Sequence, residues 1–257
     1  MKKIIYGTIF FFVAMLIAGC ASTNKDPYAA YKGMSDAQIF AVGEKALTKK
    51  DYNKAVKSFE ALDALYPFGP YSQRAQYTII YAYYMNDDLA MALAAAARYI
   101  RLYPQSDDVV YAYYMRGIVN MGRSTNWLQR RLGEDRTERD LTYVRQAFMD
   151  FAQVVQLFPH SQYAPDAQRR MLIIRNMLAQ SELNVAKFYM DRKVYIGAAN
   201  RASYLVEHYQ GAPQVIPALA ILVKAYRAMG EPELAQKAAQ ILRLNYPNAA
   251  QTRALTH

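Results

Sequence analysis

The chain has 257 residues, 53% of them hydrophobic, and carries 31 basic against 21 acidic side chains for a formal charge of +10. That length buries a sizeable core, and its single cysteine excludes both an internal disulfide and a cysteine-built metal site. His160, His208 and His257 follow no metal-ligand spacing, and basic charge without a long one-sign block points to acidic protein partners, anionic lipid headgroups or plain solubility, not to nucleic acid.

The first element is Lys2-Lys3 followed by an apolar run over residues 4–19 that ends at Cys20. A positive n-region, an apolar h-region and a small-residue cleavage site make residues 1–19 a signal peptide. At 16 residues the run is shorter than the roughly 20 that span a bilayer as a helix. Ile17-Ala18-Gly19-Cys20 resembles a bacterial lipobox, in which the cysteine becomes the lipidated first residue of the mature chain; a plain secretory signal is the other reading. Two or three acyl chains, palmitate among them, hold a protein on a membrane almost permanently. In lipoproteins of this type an aspartate after the cysteine retains the protein at the inner membrane. Ala21 stands there instead, which favours the periplasmic face of the outer membrane.

Residues 20–34 are small and polar with Pro27 and Gly33, and read as a flexible tether. Fully extended it reaches at most about 50 Å, and as a coil roughly 20 Å. From Ser35 the apolar spacing is helical throughout. Tyr66-Pro67, Tyr103-Pro104, Phe158-Pro159, Tyr209-Gln210 and Tyr246-Pro247 mark recurrent stops, because proline cannot continue a helical ladder.

Counting back from each stop gives one register. Gly43, Ala55, Phe59 and Pro67 are spaced 12, 4 and 8; Tyr83, Ala92 and Pro104 are spaced 9 and 12. Ala147, Phe151 and Pro159 give 4 and 8; Tyr189, Ala198 and Ala202 give 9 and 4; Tyr226, Ala235 and Pro247 give 9 and 12. This resembles the tetratricopeptide repeat, in which small residues let paired helices approach and aromatics fill the gaps. The expected fold is an all-α, right-handed helical solenoid of about five helix pairs, against the alternative of a generic bundle. Repeats 1–3 occupy residues 35–160 and repeats 4–5 residues 161–247, with a flexible tail at 248–257. The third repeat carries an insertion of about 18 residues at 122–140, holding Trp127 and Arg130-Arg131. Residues 164–190 read as one extended helix with Pro165 in its first turn.

No phosphate loop, nucleophile elbow or zinc-protease motif occurs in the chain. Asp87-Asp88 and Asp107-Asp108 fall at helix starts, where carboxylates cap exposed N–H groups. The expectation is a non-enzyme without cofactor or metal. Residues 65–73 concentrate two prolines, a glycine and three aromatics in one inter-repeat turn. That is either a rigid plugged turn or a preformed pocket for an aromatic-bearing extended peptide, with Tyr hydroxyls orienting a terminal carboxylate and Arg74 neutralising it. The tyrosine-rich segments 77–84 and 111–114 read as core packing or as further binding surface. Arg201 is either a solvated arginine or an anchor for an acidic partner domain.

The lipobox, the repeats, A-L-x-x-x-Y-P-F-G-P-Y-S-Q at 61–73, I-Y-A-Y-Y at 80–84, Y-M-R-G at 114–117, D-R-T-x-R-D at 135–140 and S-Q-Y at 161–163 together resemble the BamD (formerly ComL) family. Members are essential lipoprotein subunits of the β-barrel assembly machinery in Gram-negative bacteria. The resemblance covers residues 13–247 and implies a scaffold and substrate-recognition lipoprotein, needed for folding and inserting outer-membrane proteins. It implies three protein partners: the periplasmic domain of the barrel subunit, accessory lipoproteins, and the C-terminal aromatic signals of unfolded clients. It places Tyr66, Phe68, Gly69 and Tyr71 in the substrate-reading region, beside Arg74, and Arg201 in the docking region. Repeat four departs from the pattern at Gln210-Gly211-Ala212, as does the insertion around Trp127. The alternative function, on the same repeats, is a lipoprotein cofactor of peptidoglycan synthases.

Overall fold

The computed structural model describes residues 26–123 and 141–256; Cys20, the leader and most of the 122–140 insertion lie outside them. Among the described residues the regular structure is helical: ten helices in five consecutive pairs, then a short eleventh. They are α1 (Asp36–Thr48), α2 (Tyr52–Leu65), α3 (Ser72–Met85), α4 (Leu89–Leu102), α5 (Val109–Arg123), α6 (Thr142–Leu157), α7 (Ala164–Asp191), α8 (Tyr195–His208), α9 (Val215–Ala228), α10 (Pro232–Asn245) and α11 (Ala250–Thr256). Within each unit contacts run between sequence neighbours, α1 on α2 in the first and α4 through α10 in the second, joined in the second by packing of α9 on α7 and of α11 on α9 and α10. This is a tetratricopeptide-like fold. The chain divides after Ala75 into two compact units.

The same local chemistry ends the second helix of every pair. Tyr66, Tyr103, Phe158, Tyr209 and Tyr246 are C-caps with φ between −135° and −122° and ψ between 41° and 57°. Each donates its N–H to the carbonyl four residues back. At four of them the following proline disfavours the α region for the residue before it. Tyr209 takes the same conformation without proline, and Gly211 at φ 76° makes the turn that follows.

The first helix of a pair also stops in a repeated way. Lys50, Asp87, Lys193 and Gly230 have φ between 58° and 77°, each immediately before the cap of the next helix. Asp51 and Asp88 then accept from the N–H groups of Lys54 and Met91, both at 3.1 Å.

In the first unit, Ser35 and Gln38 form a reciprocal capping box that starts α1. Phe59 fills the space opposite Gly43 and is fully buried. Within the stretch read as tether, Ala29–Tyr31 forms a 3₁₀ turn and the Tyr31 hydroxyl lies 3.1 Å from Ser58 Oγ. In the second unit Phe151 packs opposite Gly117 as Phe59 does opposite Gly43. Its core runs from Val110 and Val144 through Ile174, Leu205 and Leu219 to Leu242. Burying each such side chain contributes roughly 1.5–3 kcal/mol.

Asp150 is fully buried between α5 and α6. It pairs with Arg116, accepts from Asn120 Nδ2 at 2.7 Å and accepts from Gln146 Nε2 at 3.2 Å. The carboxylate is thereby compensated, as burial of a charge demands. These two helices flank residues 124–140, so the network holds repeat three together across its long connection.

Candidate functional site

The turn from Tyr66 to Arg74 is fixed by its own hydrogen bonds. Gly69 N donates to Tyr66 O at 3.1 Å, Ser72 N to Gly69 O at 3.0 Å, and Ser72 Oγ to Pro67 O at 2.7 Å. Tyr66 donates its hydroxyl to Met34 O at 2.7 Å, so that group is committed to the backbone and does not orient a ligand carboxylate. Gly69 passes so close to α1 that a Cβ there would lie 2.9 Å from Asp36 Oδ2.

Phe40, on α1, is the centre of this region and only 4% exposed. Its ring packs against Phe59 at 5.7 Å and Tyr71 at 5.3 Å, and the Arg74 guanidinium lies 4.7 Å from its centroid. Arg74 also reaches Glu44 Oε2 at 3.2 Å, and both side chains are partly exposed. Phe68 is different in kind. It is 99% exposed, a phenyl held into water by a turn locked beneath it. The structure therefore brings Tyr71 and Arg74 together through Phe40, uses Tyr66 and Gly69 to shape the turn, and projects Phe68 outward. Sequence reasoning passed over Phe40 and Glu44, although Phe40 stands one helical turn before Gly43 and Glu44 and so shares their side of α1.

In the second unit Arg201, on α8, donates to Glu182 Oε2 at 3.1 Å. Glu182 is buried on α7, while half of the Arg201 side chain faces solvent. Nearby in the chain, the α7–α8 turn exposes Phe188, Val194 and Ile196, the last at 66%. Arg192 lies 3.6 Å from the Phe188 centroid. An exposed ring carrying a cation, with two exposed aliphatic side chains close by in the chain, suits a protein surface, and singly none of these residues stands out in the sequence.

The tyrosines of α3 and α5 form a ring chain. Tyr77 packs on Tyr99 and, at 4.4 Å, on Tyr111; Tyr111 meets Tyr163, which stacks on Tyr114. Burial is the main cause that pushes the Tyr77 and Tyr111 hydroxyls far above their ordinary range. Tyr114 donates to Asp166 Oδ2 at 2.6 Å. These rings pack on one another, and Tyr77, Tyr111 and Tyr163 also line a cavity with Asp107 and Asp108. Among the described residues no group of histidine, cysteine, aspartate or glutamate is arranged to hold a metal ion, and no helix is long and apolar enough to cross a membrane.

Comparison with known proteins gives a consistent result. A family model described as YfiO, outer membrane lipoprotein, matches residues 32–241. The outer membrane protein assembly factor BamD of Vibrio cholerae is 36% identical over 230 residues, 90% of this chain and 94% of its own. The protein of that name from Neisseria meningitidis serogroup A is 35% identical over 252 residues, 97% of this chain and 93% of its own. The one from Xylella fastidiosa strain Temecula1 is 36% identical over 234 residues, 91% of this chain and 79% of its own.

Proposed function

The chain belongs to the YfiO family of outer membrane lipoproteins, and from that membership we propose a non-catalytic scaffold that both reads clients and holds a partner. It acts in outer-membrane protein assembly, and it is associated with the outer membrane. The first unit takes the C-terminal aromatic signal of an unfolded barrel protein, and the second docks the periplasmic domain of the barrel subunit through Arg201 and the neighbouring exposed surface. Accessory lipoproteins join the same assembly. Cys20, lipidated, holds the protein on the periplasmic face. Neither the geometry nor the relatives' names favour the peptidoglycan-synthase reading.

The observation that carries the client-reading role is Phe68. Exposing a whole phenyl group forfeits about 2 kcal/mol or more of burial, and the hydrogen-bonded turn beneath it keeps it from folding inward. A rigid exposed aromatic loses little entropy when a ligand covers it, and Tyr71 with Arg74 offers an aromatic and a cationic neighbour in the same segment.

Photo-crosslinking of the full-length protein to a peptide ending in phenylalanine tests this. Phe68→Ala is expected to cut crosslinking severalfold with no change in melting temperature. Tyr66→Phe, which loses only the bond to Met34, is expected to keep crosslinking while losing about 1 kcal/mol of stability. Undiminished crosslinking in folded Phe68→Ala refutes the client-reading role.

A further inference from the structure

Arg74 is a cation at the end of this turn, and it already holds a carboxylate. Its guanidinium carbon lies over the Phe40 ring, 4.7 Å from the centroid, while Nη2 reaches Glu44 Oε2 at 3.2 Å. Phe40 and Glu44 are four residues apart on α1, so the ring that positions the cation and the acid that occupies it come from one helix face. The pair is exposed on both sides, 62% for Arg74 and 45% for Glu44. An exposed pair of this kind is weak and exchanges its partner at little desolvation cost. Glu44 can turn into water while Arg74 keeps its stacking on Phe40. Asp36, against Gly69, adds a second negative charge beside the same turn.

We propose that Glu44 is a resident competitor that sets the affinity threshold of the Arg74 subsite, so that an anion without an aromatic ring binds too weakly to displace it. A carboxylate alone only replaces the one that Glu44 supplies, and it meets the residual charge of Glu44 and Asp36. A chain terminus carrying both a free carboxylate and an aromatic side chain gains the Phe68 and Tyr71 surfaces in addition, and so displaces Glu44. The penalty is common to every carboxylate and lowers affinity without changing the ratio between acids; the ring surfaces supply the discrimination. This rests on the reading of the turn as a receiver of terminal aromatic residues.

The experiment measures binding of three labelled ten-residue peptides to the full-length protein in detergent by fluorescence anisotropy. One ends in phenylalanine with a free carboxylate, one is its C-terminal amide, and one ends in alanine with a free carboxylate. The wild type is expected to prefer the phenylalanine acid over both others. Glu44→Gln is expected to tighten both acids roughly two- to fivefold, the size of an exposed pair's contribution, and to leave the amide unchanged. Arg74→Gln is expected to abolish the preference for acid over amide. If the wild type prefers the phenylalanine acid but Glu44→Gln binds it no more tightly, the competitor role is overturned and the terminal-residue reading stands. If the wild type does not distinguish acid from amide, that reading falls and the competitor role with it. Thermal melting of Glu44→Gln, at an exposed position, checks that the fold is unchanged.

Discussion

A methyl group on Gly43 would lie 2.6 Å from Phe59 Cε1, and one on Gly117 would lie 2.6 Å from Phe151 Cε1. The two glycines thus occupy the same place in repeats one and three, each closed by the ring of the following helix. The sequence separation is sixteen residues in the first pair and thirty-four in the second, so the insertion lengthens the connection without disturbing the contact. Both rings are fully buried. Gly43→Ala and Gly117→Ala are each expected to cost about 1–3 kcal/mol through overpacking, although alanine is the better helix former. Circular-dichroism melts read this as a drop of several degrees, and an unchanged melt for both refutes the close approach.

That contact shows what was legible beforehand. The Gly43–Ala55–Phe59 spacing and the aromatic stops report steric requirements that recur, so they are visible without coordinates, and the stops appear as C-caps of nearly one geometry. The long helix expected from Ala164 ends at Asp191. The turn at 65–73 was legible by composition, but its internal division of labour was not. Whether a tyrosine hydroxyl faces a ligand or a backbone carbonyl depends on Met34, thirty-two residues earlier than Tyr66. Phe40 was hidden because an apolar residue on an amphipathic helix is ordinary, and only the stacking of Arg74 distinguishes it. Glu182 was hidden for a similar reason: a glutamate inside a long helix normally faces water, and this one is buried under Arg201.

The Asp150 network allows a cycle of substitutions. Arg116→Met leaves a fully buried carboxylate without its counter-charge and is expected to cost about 3–5 kcal/mol. Asp150→Asn in that background removes the buried charge, while its amide oxygen still accepts from Asn120. The double variant is therefore expected to be more stable than Arg116→Met alone. Additive losses in chemical denaturation would show that the pair is not coupled.

Alkaline pH acts on the ring chain. The Tyr111 and Tyr77 hydroxyls are raised, chiefly by burial, above the value of about 10 that a tyrosine has in an unfolded chain. Below pH 10 both states are protonated and these groups add no pH dependence. Above it the unfolded chain releases protons that the fold retains, so stability falls by up to about 1.4 kcal/mol per pH unit for Tyr111, and by less for the more open Tyr77. Melting temperature is expected to be flat from these groups between pH 7 and 9 and to fall by pH 11. Tyr111→Phe is expected to flatten the alkaline fall, and an identical slope in that variant would assign the effect elsewhere.

Partner docking is best tested away from Arg201 itself. Replacing Arg201 with glutamate sets a second carboxylate against buried Glu182, so a lost partner in that variant would mix docking with damage to the α7–α8 packing. Ile196, on the same helix α8, is 66% exposed, so a change there disturbs little packing. Ile196→Glu is expected to leave the melting temperature within about 1 °C, as surface substitutions usually do. It is also expected to reduce co-purification of the barrel subunit from detergent-solubilised outer membrane. Arg201→Lys separates the two duties of the arginine: a lysine keeps the charge opposite Glu182 but loses the planar fork. Weakened co-purification with an intact melt in both variants places the docking surface around the α7–α8 turn. Normal co-purification in folded Ile196→Glu and Arg201→Lys removes this face from the docking site and leaves Arg201 a purely structural partner of Glu182.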